Sequence, residues 1–297
     1  MTSNTRLTRR DLLRLGLISG CTLALGGCAS SSPSDPEDPD SPDFRGFNVH
    51  PYMGDSLMTV QMQALQRIRA TWMRTTLGIT NDTAGPYATT SQVNVLGLIG
   101  DFQLTSIDKA DWPDMVETVI RRYPSIQYFQ ILNEPEVFYN MSNVEYVREY
   151  LRPAHDLIRA KFPSVKIVSA APIGEPSGIR DFTVMTAAGA DHYCDFRGVH
   201  IYFEDSLLNP WVAFRQATQN PIMITETGTK TPAEHLNWWQ VQIPEMKRIL
   251  GTEYVFYYAL LEHPISTGFE IITGDLDGQG DIIPAAGSDL YTYLHSA

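Results

Sequence analysis

Along residues 44–297, short apolar runs alternate with amphipathic stretches. The runs at 44–50, 70–75, 92–97, 126–133, 165–170, 195–203, 221–226 and 253–260 have the length and composition of buried strands. Between most of them the period changes to that of a helix. In 143–162, Val144, Val147, Leu151, Ala154, Leu157 and Ile158 recur at three- and four-residue spacing, with charges between them. The same reading predicts helices over 55–69, 111–123, 179–189, 208–218, 232–250 and 287–295. The interval 76–91 is rich in Thr, Gly and Asn and reads as loop, so the helix after strand 2 is expected to be short or missing.

Eight strands alternating with helices imply a parallel sheet. Residues 44–297 number 254, close to the roughly 250 typical of a (β/α)8 barrel. The rival is a doubly wound open sheet, which carries a Gly-rich phosphate turn after its first strand. Asn48-Val49-His50-Pro51-Tyr52-Met53-Gly54 is no such turn. The expected fold is therefore α/β, a single-domain (β/α)8 TIM barrel over 44–297.

The first 43 residues follow neither period. Residues 1–27 pair a basic start (Arg6, Arg9, Arg10, Arg14) with an apolar stretch from Leu15 to Gly27. That stretch is too short for a membrane span but suits an export signal. Thr8-Arg9-Arg10-Asp11-Leu12-Leu13-Arg14 resembles a twin-arginine signal, and Leu25-Gly26-Gly27-Cys28 resembles a bacterial lipobox. The resemblance implies cleavage before Cys28, lipid on its sulfur, and a chain exported and anchored to the cell envelope. An ordinary signal peptide with an incidental cysteine is the plainer reading. Residues 28–43 are Ser, Pro and acid, and read as a disordered tether behind the lipidated cysteine.

Charge and cysteine content narrow the function. The chain carries 22 Lys plus Arg against 34 Asp plus Glu, a net −12. Residues 1–27 contribute +3 and residues 28–43 contribute −5, which leaves −10 on the barrel. An acidic domain argues against a nucleic-acid partner. Three cysteines cannot build a disulfide framework. Cys21 lies in the signal and Cys28 at the lipobox, so Cys194 reads as a lone buried thiol.

Two segments carry candidate chemistry. Tyr128-Phe129-Gln130-Ile131-Leu132-Asn133-Glu134-Pro135 and Pro221-Ile222-Met223-Ile224-Thr225-Glu226-Thr227-Gly228 are apolar runs that each end in a carboxylate and a chain breaker. In a barrel, side chains at the carboxyl ends of strands converge on one face. A carboxylate pair there suits glycoside hydrolysis, in which one group protonates the leaving oxygen and the other attacks carbon or activates water.

With Asn133-Glu134 ending strand four and Glu226 ending strand seven, the chain resembles the clan A glycoside hydrolases. The resemblance implies a retaining enzyme with Glu134 as general acid/base and Glu226 as nucleophile, their carboxyl groups about 5–5.5 Å apart. It implies that Asn133 bonds the sugar 2-hydroxyl and that Arg74, ending strand two, lies near the nucleophile. His200 and Tyr202 in Val199-His200-Ile201-Tyr202 match the strand-six pair of that clan, the tyrosine bonding the nucleophile. Tyr258 stands where many members carry a tryptophan that floors the sugar subsite.

Strand alternation offers a separate test. By parity Glu134 shares a face with Leu132 and Gln130, Glu226 with Ile224 and Ile222, and Tyr202 with His200, so each would continue the barrel-facing set of its strand. His50, near the end of strand one, is a further candidate for substrate contact or for capping the barrel. Trp211, after strand six, could stack on a sugar, whereas Trp238 and Trp239 fall in a helical stretch and read as packing. Asp191-His192-Tyr193-Cys194 precedes strand six and so lies on the stability face. No metal-ligand spacing is present, and neither a metal nor another cofactor is expected. The expected partners are an oligo- or polysaccharide and, through the lipid, a membrane; the chain is expected to be a monomer. A transglycosylase using the same residues and a non-catalytic carbohydrate-binding lipoprotein are the alternatives.

Overall fold

A computed structural model describes residues 44–297 apart from 52–53, 79–87, 89–92, 101–108, 204–209 and 262–266. The signal, Cys28 and the tether lie outside the described residues, as does nearly all of the interval in which a helix was expected to be short or missing.

Eight parallel strands form the expected (β/α)8 barrel. They are β1 (Gly46–Val49), β2 (Trp72–Leu77), β3 (Asn94–Ile99), β4 (Tyr128–Ile131), β5 (Lys166–Ser169), β6 (Arg197–Ile201), β7 (Ile222–Thr227) and β8 (Val255–Tyr257). Their order, β5-β4-β3-β2-β1-β8-β7-β6, wraps around β1. The seam between β5 and β6 closes at a bridge from Val168 to Phe196. There the Ser169 amide donates to the Phe196 carbonyl at 2.9 Å and the Gly198 amide to Ser169 Oγ at 3.1 Å. The seam is tight enough that a Cβ on Gly198 would lie 2.5 Å from the Ser169 carbonyl oxygen. Helices cover the outside: Asp55–Arg67, Trp112–Arg122, 143–161, Gly178–Ala187, Pro210–Ala217, 232–250 and Leu290–Ser296. Beyond β8 the chain adds an antiparallel hairpin, β9 (Ile272–Leu276) and β10 (Ile282–Pro284), which the apolar pattern does not announce.

The barrel interior changes character from bottom to top. Phe44, Trp72, Tyr128, Phe196 and Tyr254 plug the bottom, with ring centroids 5.1–6.3 Å apart across the neighbouring pairs. Leu96, Val168, Met223 and Phe256 fill the layer they pack against. Two residues beyond Gly46, Trp72, Tyr128 and Gly198 come Asn48, Arg74, Gln130 and His200, all buried and all polar. An apolar floor beneath a buried polar ceiling is how the strands deliver polar groups to one end only.

Two strand ends depart from simple alternation, and both matter for the site. Leu132 (φ 63°) and Glu134 (φ 37°) are left-handed, a conformation costing non-glycine residues on the order of 1–3 kcal/mol. The turn at Leu132 sends its side chain into the outer core with Phe129 and Ile131, while Gln130 faces the interior. On β7, Ile222 and Ile224 pack outward and Met223 inward. Register shifts between β7 and both neighbours then turn Glu226 to the interior. Contrary to the parity expectation, Glu134 and Glu226 do not share a face with Leu132, Ile224 and Ile222. Both carboxylates face inward because their strands break alternation just before them. Tyr202 and His200 do share a face.

The Asp191–Cys194 segment is structural. Asp191 Oδ1 accepts from Arg197 Nη1 at 2.5 Å, and its Oδ2 accepts from Thr218 Oγ1 at 2.7 Å. Arg197 is fully buried and lies 4.1 Å from the centroid of the Phe182 ring. Cys194 is a buried free thiol whose pKa burial pushes up to about 12.

Candidate active site

The polar ceiling is organised by one guanidinium. Arg74 Nε donates to Gln130 Oε1 at 2.6 Å, and Nη2 to Asn133 Oδ1 at 2.7 Å. Nη1 donates to both Asn48 Oδ1 and Glu226 Oε1, each at 2.7 Å. Asn48 is itself oriented by its amide donating to the Thr225 carbonyl at 3.1 Å. Three strands and the turn after β4 thus converge on a largely buried cation that touches the Glu226 carboxylate.

The second Glu226 oxygen, Oε2, accepts from the Tyr202 hydroxyl. Burial, then the charge of Glu226, raise the Tyr202 pKa well above its usual value, so the hydroxyl stays protonated and donates. Tyr202 is seated by Gly174, where a Cβ would lie 2.2 Å from its ring. Burial works to raise the Glu226 pKa, but His200, Arg74 and Tyr202 outweigh it and the net shift is downward.

His200 stands between the two carboxylates. Its Nδ1 lies 2.7 Å from Glu134 Oε1, and its Nε2 lies 3.4 Å from Glu226 Oε1. Glu134, His200 and Glu226 each place a donor atom within 4.8 Å of the others, so the two carboxylates face one another at short range. The same three groups could hold a metal ion on geometry alone. The Arg74 guanidinium already sits on Glu226, however, and its fixed charge opposes a second cation there.

These groups line a cleft of about 320 Å³ at the carboxyl end of the barrel. Asn133, Glu134, Glu226, Arg74, Tyr202, Tyr258 and His50 all reach it, and His200 supports it from beneath. Tyr258 stacks edge-on against His50 at 5.4 Å and against Phe269 at 5.4 Å, forming one wall. Burial, set against Glu226 but aided by Arg74, lowers the His50 pKa to about 4 and leaves its imidazole neutral near pH 7.

One expected residue is misplaced. Trp211 lies in the Pro210–Ala217 helix, fully buried in the outer core, and does not reach the cleft. The helix expected over 208–218 already includes it, and the ring lies on the face of that helix that packs into the core. The sequence reading also missed residues that matter. Asn48 and Gln130 are polar positions inside apolar runs, which was the available signal. Phe138 lines the cleft from the single helical turn Pro135–Phe138, and Ile173, Lys230 and Phe269 line it from loops, where no periodicity marks them.

No family model and no curated protein sequence matches the chain. Solved structures do. A β-glucuronidase 2 of Bacteroides uniformis, covalently bound to cyclophellitol-6-carboxylate aziridine, superposes with a TM-score of 0.61 at 11% identity over 85% of this chain. The catalytic domain of the GH30 xylanase C from Talaromyces cellulolyticus gives 0.58 at 13% identity, over 84% of this chain and 74% of that one. The GH2 β-galacturonidase of Eisenbergiella tayi, bound to galacturonate, gives 0.56 at 17% identity, over 86% of this chain and 51% of that one. The likeness is one of fold: these three enzymes share the barrel with this chain. The chain spans about a third of the B. uniformis enzyme, 34% of its length.

Proposed function

We propose that residues 44–297 form a retaining glycoside hydrolase acting on a β-linked glycan or glycoside. The observation that carries this reading is the facing pair, Glu134 and Glu226, at the carboxyl ends of β4 and β7. An oxygen of each lies within 4.8 Å of an oxygen of the other, a close approach that suits the ~5–5.5 Å separation of carboxyl groups in double displacement. The β linkage is supported by the similar β-glucuronidase and β-galacturonidase structures.

The roles follow from the surroundings. Glu226, held ionised by Arg74 and bonded by Tyr202, attacks the anomeric carbon. Glu134 gives its proton to the leaving oxygen as that bond breaks. Glu134, now a carboxylate, takes a proton from water, which attacks the same carbon and releases Glu226. His200 Nδ1 holds the Glu134 carboxyl in place through both steps. Asn133, its Oδ1 fixed by Arg74, is left with its amide to donate to a sugar hydroxyl.

The test is stereochemical. Proton NMR of the first-formed product from a β-glycoside should show the β anomer before mutarotation; the α anomer would rule out double displacement.

The address is a separate proposal, supported by Arg9-Arg10 and by Leu25-Gly26-Gly27-Cys28: the chain is exported by a twin-arginine-type signal, cleaved before Cys28 and lipid-anchored to the envelope. Mass spectrometry of the membrane-extracted protein should give a mature chain beginning at an acylated Cys28. Cys28→Ser should yield no acylated form, and an unmodified Cys28 in the wild type would refute the anchor.

A further inference from the structure

The cleft has two unlike walls. Around Glu226 the lining is polar, with Arg74, Asn48, His50 and Tyr202. Next to Glu134 stand Phe138 and Ile173, with Glu175 at the rim. Phe138 is 39% exposed and its neighbour Val137 48%, among the few large apolar side chains of the described residues left in water. Their position is built. Pro135–Phe138 is a single helical turn, in which the Val137 and Phe138 amides donate to the Glu134 carbonyl at 2.9 and 3.1 Å. The Ile173 amide donates to Glu136 Oε1 at 2.6 Å, which ties the facing loop to the same turn. The apolar pair is thus fixed relative to Glu134 rather than carried on a separate loop.

We propose that Phe138 and Ile173 form a leaving-group subsite for an aglycone with a flat apolar face, an aryl group, rather than for a further sugar. The inference rests on the reading of Glu134 as the general acid. The acid protonates the leaving oxygen, so the atoms beyond that oxygen lie beside Glu134, on the side away from Glu226. A second sugar would bring several hydroxyls to a wall whose charged side chains, among the described residues next to Glu134, are Glu136, already bonded to the Ile173 amide, and the exposed Glu175. An aryl ring covers the Phe138 ring and the Ile173 side chain without unpaired polar groups.

The experiment uses the full chain carrying Glu134→Gln, so that bound glycosides persist. Phenyl and methyl β-glycosides of glucose, galactose, xylose and glucuronic acid are compared by saturation-transfer NMR and competition, alongside the matching β-disaccharides. For the glycone that binds, the phenyl glycoside should bind on the order of ten-fold more tightly than the methyl one, with saturation reaching the aryl protons. Adding Phe138→Ala should bring the phenyl-to-methyl ratio close to one, and Phe138→Tyr should preserve it. The exposed position makes the unfolding temperature of both variants match the parent, which is checked by calorimetry. Equal binding of phenyl and methyl glycosides, a preference that survives Phe138→Ala, tighter binding of the disaccharide, or no phenyl glycoside bound would each overturn the subsite. Failure of the catalytic reading shows separately, as turnover in the Glu134→Gln samples equal to that of the wild type.

Discussion

Glu226→Ala should lower kcat/KM on an aryl β-glycoside by at least about 10⁴-fold, the scale on which an attacking group is lost. The reason lies in what remains. The Arg74 guanidinium keeps its bonds to Asn48, Gln130 and Asn133, so the ceiling of the barrel stays tied together while the attacking oxygen is gone. The fold should persist, as circular dichroism can show. Azide offers a sharper reading than loss alone. In Glu226→Ala it would enter the space of the missing carboxylate and attack the anomeric carbon from that side, with Glu134 still protonating the leaving oxygen. The product is then the α-glycosyl azide. In Glu134→Ala the covalent step at Glu226 remains for a good leaving group, and azide intercepts the intermediate to give the β-glycosyl azide. An α product from Glu226→Ala and a β product from Glu134→Ala assign the two roles independently. Full activity in Glu226→Ala, or the products reversed, refutes the assignment.

The pattern along the chain carried the barrel because each strand is an apolar run and each helix a change of period. Glu134 and Glu226 were legible for the same reason, since each stops such a run with a charge. What alternation could not supply is which way those charges point. Leu132 sits at φ 63° and Glu134 at φ 37°, and β7 slips register against both neighbours. None of these breaks has a glycine or proline at the residue concerned to announce it. Asn48 and Gln130 were hidden by their setting, because a polar residue within an apolar run reads as noise until a cation is found between them. Trp211 failed in the opposite direction. Its large ring after β6 suggested a sugar platform, but the Pro210–Ala217 helix turns it into the core. The β9–β10 hairpin escaped notice because Gly274, Asp275, Asp277, Gly278 and Gly280 break its apolar pattern into pieces shorter than a strand signal.

Arg74→Ala should cost stability as well as activity, and its pH dependence separates it from an ordinary core defect. The Arg74 and Glu226 side chains are 5% and 9% exposed. Removing one partner of such a buried pair leaves the other charge uncompensated, at about 3–5 kcal/mol. That is a large part of the ~5–15 kcal/mol by which a domain is stable. The sign follows from the lowered Glu226 pKa. In the wild type its contribution is present above the ordinary carboxylate value of 4.5 and is lost as pH falls through the lower folded value. In Arg74→Ala burial remains while the guanidinium is gone, so the folded pKa moves up and that contribution shrinks. Urea unfolding should therefore show the largest gap between wild type and variant near pH 7, closing on acidification as Glu226 is protonated first in the variant and last, below pH 4.5, in the wild type. The acid limb of kcat/KM should shift to higher pH in the same variant, because Glu226 must be ionised to attack. Arg74→Lys keeps a charge but cannot reach four acceptors on three strand ends and a turn, and should fall between the two in both measurements. A stability gap independent of pH would mean that Arg74 acts through packing alone. An unmoved acid limb would mean that His200 and Tyr202 suffice to hold the nucleophile ionised.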